Sequence, residues 1–179
     1  GRCLPGISAL MKVSGRHFSA AVAADFGFGI APRLNAAGRL DDISMGIECL
    51  VSGHMESAMP LATRLDEINR QRRDIEETMQ LQAMEIADNV IEDAMGAGDD
   101  AYTRGLCLFD PRWHQGITGL VASRVKDRTG QPVIAFARSG DGFLTGSAWS
   151  VQNLHIRDAL DQIATLNPGL MAKFGGHAA

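Results

Sequence analysis

The longest regular pattern of apolar and polar positions lies between residues 56 and 95. Its apolar residues follow the spacing of one helical face: Leu61, Leu65, Ile68, Ile75, Met79, Ile86 and Val90. Arg72 stands where the next apolar residue is due, and Pro60 falls near the start, where proline is tolerated. The pattern predicts one helix of roughly 60 Å at ~1.5 Å per residue. Its narrow apolar seam is typical of a helix that bridges two bodies or pairs with another helix.

A different pattern, with short apolar runs between turn residues, begins after this helix. Strands are predicted at residues 105–109, 132–137 and 143–150, and helices at 117–128 and 154–166. The order β-α-β-β-α predicts a mixed sheet with helices packed on it. The fold class is therefore α/β in this part of the chain.

The residues before the long helix predict several short helices. One follows Pro5 and ends at Gly15, a second covers residues 20–26, and a third covers 44–52. Residues 27–42 contain glycine, proline and arginine and end in two aspartates, which predicts a loop.

Composition narrows the function classes. The chain has 179 residues, of which 45% are hydrophobic and 21% charged, and its formal net charge is −4. A polyanion would therefore be bound by a local cluster of arginine and histidine, since the whole surface is not basic. The three cysteines form no CxxC pair, which argues against zinc and favours a cytoplasmic location. No apolar run has the length of a membrane span.

Two polar clusters have the chemistry of a phosphate site. Arg33 and Arg39 flank small residues that would let a backbone approach closely, although a solvated surface loop is the simpler interpretation. His114 precedes the helix at 117–128, whose start would offer backbone N–H groups to an anion, and Arg124 lies two turns into it. A packed Trp113 with His114 as its polar neighbour explains the second cluster equally well.

Two further clusters are weaker. In the third strand, Ser147 and Trp149 would line a phosphate pocket and stack a base, or Trp149 would simply belong to the core. At the end of the chain, Gly175 and Gly176 precede His177, which alone is also typical of a frayed tail.

Taken in order, the strings APRLNAAGRLDD, WHQGITGLVASR, GSAWS with LHIRDALD, and KFGGHA resemble the RecJ exonucleases of the DHH phosphoesterase superfamily. The resemblance implies a helical remnant of a DHH domain at residues 1–53, a long linker helix at 54–98 and a truncated DHH-associated domain at 99–179. It also implies an internal fragment, because the Asp-His-His motif and the upstream aspartates of the family are absent. The missing N-terminal DHH domain is then a partner, and the helix seam admits a homo-oligomer of the chain.

The resemblance also implies roles for individual residues. His114 and His177 would be accessory catalytic groups. The strand of DNA would contact residues from all four clusters: Arg33, Asn35, Arg39, Arg124, Ser147, Trp149, Gly175 and Gly176. Trp149 departs from the arginine usual in the family, which puts capture of a 5′-phosphate in doubt.

The function implied is 5′→3′ hydrolysis of single-stranded DNA in DNA repair and recombination, by two-metal catalysis with Mn²⁺ or Mg²⁺. No metal ligand is assigned to this chain, so the chain alone is expected to be inactive. Two alternatives remain open. One is a DHH-family phosphodiesterase for short oligonucleotides or cyclic dinucleotides, and the other is a non-catalytic module that binds single-stranded DNA.

Overall fold

A computed structural model describes residues 4–96, 105–140 and 142–175 of the chain. The chain divides into two compact units, residues 1–75 (unit 1) and 76–179 (unit 2). The division falls inside the long helix, so the domain boundaries expected from the sequence stay a prediction. Within the described ranges, no helix is both long enough and apolar enough to cross a membrane.

Unit 1 is built from helices. The helices are α1 (Pro5–Val13), α2 (Ala23–Asp25), α3 (Ala31–Leu40), α4 (Ser44–Val51) and the first part of α5 (Met55–Gly96). A 3₁₀ turn covers Phe18–Ala20, and a π-helical turn, Phe26–Ile30, leads into α3. The core is apolar and rich in small residues: Ala9, Leu10, Met11, Ile30, Ala37, Cys49, Ala58, Ala62 and Leu65. These small residues let the helix backbones approach closely.

The prediction of a loop at residues 27–42 was wrong, because most of this stretch is helical. Pro32 occupies the first turn of α3, where its missing N–H breaks no helical hydrogen bond. Ala36 and Ala37 are fully buried and give the helix a small-residue face for packing. Helix α3 therefore forms through packing, despite its glycine and proline content.

The predicted long helix is confirmed as α5, which has 42 residues. It begins early enough that Pro60 lies in its second turn. Its buried face differs from the predicted seam, since several alanines are fully or almost fully buried while Val90 is 42% exposed: Ala58, Ala62, Ala83 and Ala87. Alanine allows close packing, which the count of large apolar residues did not register.

Unit 2 contains the predicted mixed sheet. Its described strands are β1 (Leu106–Phe109), β2 (Val133–Arg138) and β3 (Leu144–Trp149), in the spatial order β1-β2-β3. Strands β1 and β2 are parallel, with Leu106 opposite Val133. Strands β2 and β3 are antiparallel, with Val133 opposite Trp149. Strand β3 therefore lies at an edge of the described sheet and is largely exposed.

Helix α6 (Thr118–Thr129) connects the two parallel strands, and α7 (Ile156–Leu166) follows β3. Buried residues of α6 face the sheet: Thr118, Val121, Ala122 and Val125. Gly130 ends α6 in the left-handed conformation, at φ 67°, and donates its N–H to the Lys126 carbonyl at 2.9 Å. The sheet and α6 together position the start of α6 beside β3.

Candidate nucleic-acid interface

The segment between β1 and α6 is held by an ion pair. The Asp110 carboxylate accepts hydrogen bonds from the Arg112 backbone N–H at 2.8 Å and from the Arg112 guanidinium, through Nε at 2.9 Å and Nη2 at 2.6 Å. The side-chain hydrogen bond from Arg112 is the main reason that the pKa of Asp110 falls to about 2. The turn that leads to the helix is therefore stabilised by a charge at neutral pH.

Trp113 and His114 both help to shape the start of α6. Trp113 is buried, and its Nε1 donates to Gln82 Oε1 in α5 at 3.0 Å. His114 Nδ1 accepts the Gly116 N–H at 3.1 Å, so the neutral ring carries its proton on Nε2. The packing interpretation of Trp113 is thus supported, while half-buried His114 retains a donor at Nε2.

A pair of hydroxyl groups joins α6 to β3. Thr118 is fully buried, its Oγ1 donates to the Gln115 carbonyl at 2.9 Å, and it lies 3.0 Å from Ser147 Oγ. Since the single Thr118 proton is already used, Ser147 is the donor in the second bond. The oxygen of half-buried Ser147 is then available as an acceptor, and a ligand that donates or rearranges this bond would meet it at the helix start.

Gly119 allows β3 to lie close to α6. A Cβ at Gly119 would stand 3.5 Å from both Cβ and Oγ of Ser147, and the Gly119 carbonyl accepts a hydrogen bond from Trp149 Nε1 at 2.8 Å. Trp149 is 41% exposed, so the expectation that it belongs to the core is not met. Thr118 and Gly119 were not singled out in the sequence, although both lie within the string WHQGITGL.

Unit 1 holds the other predicted DNA contacts. Asn35 and Arg39 are exposed and, four residues apart on α3, share a face of that helix. Arg33 is buried: its guanidinium donates to the carbonyls of Gly29 and Val13 and forms an ion pair with Asp66. Arg33 therefore serves the interior of unit 1, and we correct the expectation that it contacts DNA.

The partners of Arg33 were not anticipated. Asp66 pairs with Arg70 as well as Arg33, and fully buried Asn69 bridges two helices. With its amide oriented to satisfy both neighbours, Asn69 donates to the Pro32 carbonyl at 3.1 Å and accepts from Arg73 Nη2 at 3.0 Å. The polar interruption of the apolar seam near Arg72 was the available signal for this network.

The remaining predicted residues add little geometry. Arg124 is exposed on α6, and Gly175 is exposed near the end of the chain. Gly176 and His177 lie outside the described residues. The described ranges contain no group of three or more His, Cys, Asp or Glu residues that could hold a metal ion. These residues do not fit a metal centre, and no metal-dependent step is derived from them.

Comparisons with known proteins agree with this architecture. Residues 102–179 match the family model of the DHHA1 domain. The chain is 49% identical to the single-stranded-DNA-specific exonuclease RecJ of Dickeya dadantii and 47% identical to that of Escherichia coli. Each alignment has 178 residues and covers 99% of this chain but 30% of the relative. The chain thus spans less than a third of the length of these curated relatives.

Solved structures show the same likeness in three dimensions. The structure of RecJ from Thermus thermophilus in complex with Mg²⁺ has a TM-score of 0.75 and 27% identity, covering 97% of this chain and 24% of that one. The Mn²⁺ complex has a TM-score of 0.72 over 97% of this chain and 23% of that one. In sequence and in fold the chain is therefore homologous to a segment of the RecJ exonucleases, and its residues 102–179 belong to the DHHA1 domain family.

Proposed function

We propose that this chain is the part of a RecJ-like exonuclease that binds and positions single-stranded DNA for 5′→3′ hydrolysis in DNA repair or recombination. The observation that carries the proposal is the similarity over 99% of the chain to proteins named single-stranded-DNA-specific exonuclease. Divalent ions, as in the Mg²⁺ and Mn²⁺ complexes of the Thermus protein, would be held by residues other than those described.

The start of α6 is the proposed phosphate contact in unit 2. The N–H groups of Thr118 and Gly119 belong to the first helical turn and have no partner within the helix. Together with the helix dipole they favour an anion. His114 Nε2 and the Ser147 hydroxyl would add donors at the same helix start, since Ser147 can turn its proton from Thr118 to a phosphate oxygen. His114 and Ser147 therefore act as binding groups in this proposal.

In unit 1, Asn35 and Arg39 on the exposed face of α3 are proposed to contact the DNA backbone, and Arg33 is not. In unit 2, Arg124 contributes a further charge. Gly175, Gly176 and His177 stay predictions of the resemblance, with His177 as an accessory catalytic group. Self-association of the chain also stays a prediction.

Fluorescence anisotropy with labelled DNA tests the proposal. We expect the chain to bind an oligonucleotide of about 12 nucleotides more tightly than the matching duplex, with an affinity that falls as salt rises. Replacing Ser147 by Ala is expected to weaken binding roughly tenfold, the effect of one hydrogen bond to a charged group. Equal affinity for duplex and single strand would contradict the proposal.

Arginine variants give a matched comparison. Arg124 on α6 and Arg157 on α7 are both exposed. Arg124→Ala is expected to lower the salt slope by about one phosphate contact, while Arg157→Ala leaves it unchanged. A dinucleotide that competes as well as the long strand would instead favour the short-oligonucleotide alternative.

A further inference from the structure

Trp149 is held at one edge and open over much of the rest. Its Nε1 donates to the Gly119 carbonyl at 2.8 Å, which fixes the indole against the first turn of α6. The residue nevertheless remains 41% exposed at the end of β3. An indole that is already ordered loses little conformational freedom when a ligand covers it. This combination is suited to a flat ligand.

A cation accompanies the ring. Lys126 Nζ lies 5.9 Å from the centroid of Trp149, within the range of a cation–π interaction. The Lys126 side chain is only 23% exposed, and Nζ also pairs with Asp127 Oδ1 at 2.5 Å. Seven residues separate Lys126 from Gly119, so both lie on the same side of α6. The ammonium group is therefore held beside the indole.

A hydroxyl group lies on the same side of the strand. Ser147 and Trp149 are two residues apart on β3, so their side chains leave the same face of the sheet. Ser147 contacts the space that a side chain at Gly119 would occupy, and Trp149 contacts the Gly119 carbonyl. A hydroxyl, an indole and an ammonium group thus follow one side of α6.

We propose that Trp149 and Lys126 form a nucleotide subsite, in which the indole stacks an unpaired nucleobase and the ammonium group contacts the neighbouring phosphate. The proposal rests on the proposed function and names how that function recognises its substrate. A base inside a duplex already stacks on both faces, so the subsite selects single strands. Because every base has a π-face, the subsite tolerates any sequence.

An abasic scan of the wild-type chain tests the subsite. The probe is oligothymidylate of about 12 nucleotides that carries one abasic site at each position in turn. Loss of the stacked base is expected to weaken binding roughly tenfold at one or two adjacent positions and little elsewhere. Indole emission is expected to change on binding in the wild type and not in Trp149→Phe, because Trp113 is buried.

Variants assign the effect to the two residues. Trp149→Ala is expected to weaken binding roughly fivefold to one-hundredfold, and Trp149→Phe much less. Lys126→Met keeps the apolar stem and is expected to lower the salt slope by about one, whereas Lys12→Met on α1, an exposed lysine, leaves it unchanged. Circular dichroism checks that each variant is folded, and the abasic scan decides if Trp149→Ala is not.

Failure of the subsite differs from failure of the proposed function. If the wild type prefers single strands but shows a flat abasic scan and Trp149→Ala binds like wild type, the subsite is overturned and the proposed function stands. If the wild type binds no single-stranded DNA, both are overturned.

Discussion

The two units use their polar residues in opposite ways. In unit 1, Arg33 and Asp66 are turned inward, with side chains that are each only 8% exposed. In unit 2, Ser147 and Trp149 lie on an edge strand and remain partly open to solvent. Both sets come from strings that resemble the same family. The type of a residue therefore does not decide whether it binds a ligand, since burial decides whether its hydrogen bonds are already used.

The units also differ in how closely their backbones pack. In unit 1, a Cβ at Gly6 of α1 would lie 1.8 Å from the Cys49 carbonyl oxygen of α4. In unit 2, a Cβ at Gly146 of β3 would lie 2.7 Å from the Phe136 ring, which is a side chain and can rotate. Unit 1 is thus a tight helical scaffold, whereas unit 2 has an adaptable surface at β3.

Loss of the buried carboxylate in unit 1 is expected to have the largest effect. Asp66→Ala leaves the Arg33 guanidinium buried without its counter-ion, and the free energy of unfolding should fall by about 3–5 kcal/mol. The exposed neighbour Glu67, which pairs with Arg64 at 3.2 Å, is the control, and Glu67→Ala should cost under about 1 kcal/mol. Urea unfolding followed by circular dichroism measures both. Similar losses in the two variants would remove the contrast between the units.

Gly6→Ala should come next. Helices α1 and α4 must separate to accept the methyl group, at a cost of about 1–3 kcal/mol or more. Gly146→Ala should cost less, because the Phe136 ring can move. Thermal denaturation of both variants provides the comparison. A greater loss of stability in Gly146→Ala would show that β3 is the more rigid element.

The buried hydroxyl of Thr118 should matter less. Thr118→Val removes the hydrogen bonds to Gln115 and Ser147, which should cost about 1–2 kcal/mol. Thr165 makes a comparable bond to the Asp161 carbonyl at 2.8 Å on exposed α7, so Thr165→Val should cost within ~0.5 kcal/mol. Tryptophan fluorescence follows unfolding in both variants, since both tryptophans lie in unit 2. Equal costs would mean that the α6–β3 contact contributes nothing to stability.

The smallest expected effect depends on pH. The lowered pKa of Asp110, about 2, means that its stabilising contribution is present above about pH 4 and is lost as the pH falls toward about pH 2. The difference in free energy of unfolding between wild type and Asp110→Asn should therefore shrink across this window. For Asp66, burial raises the pKa, but Arg70 and Arg33 outweigh it and hold the pKa below its usual value. Its contribution is lost in the same direction, so a difference for either variant that stayed constant with pH would contradict these assignments.

Much of the fold was predictable because it rests on local periodicity. Helix α5, the three strands and α6 follow from apolar spacing and turn residues. Helix α3 was missed because its glycine and proline favour a loop locally, while its buried alanines and Arg33 favour a packed helix. The roles of Lys126 and Gly119 were also missed, since neither residue is distinctive before β3 is placed against α6.

By itself the sequence determined the order of helices and strands and the likeness to RecJ, because both are written in short strings and their spacing. Only the tertiary structure decided that Arg33 faces inward, where Asp66 is its partner, and that Trp149 faces outward. The physical reason is that the hydration of a side chain depends on elements that are distant in the chain. Burial makes a charge require an internal partner, and exposure leaves an aromatic ring able to bind one from outside.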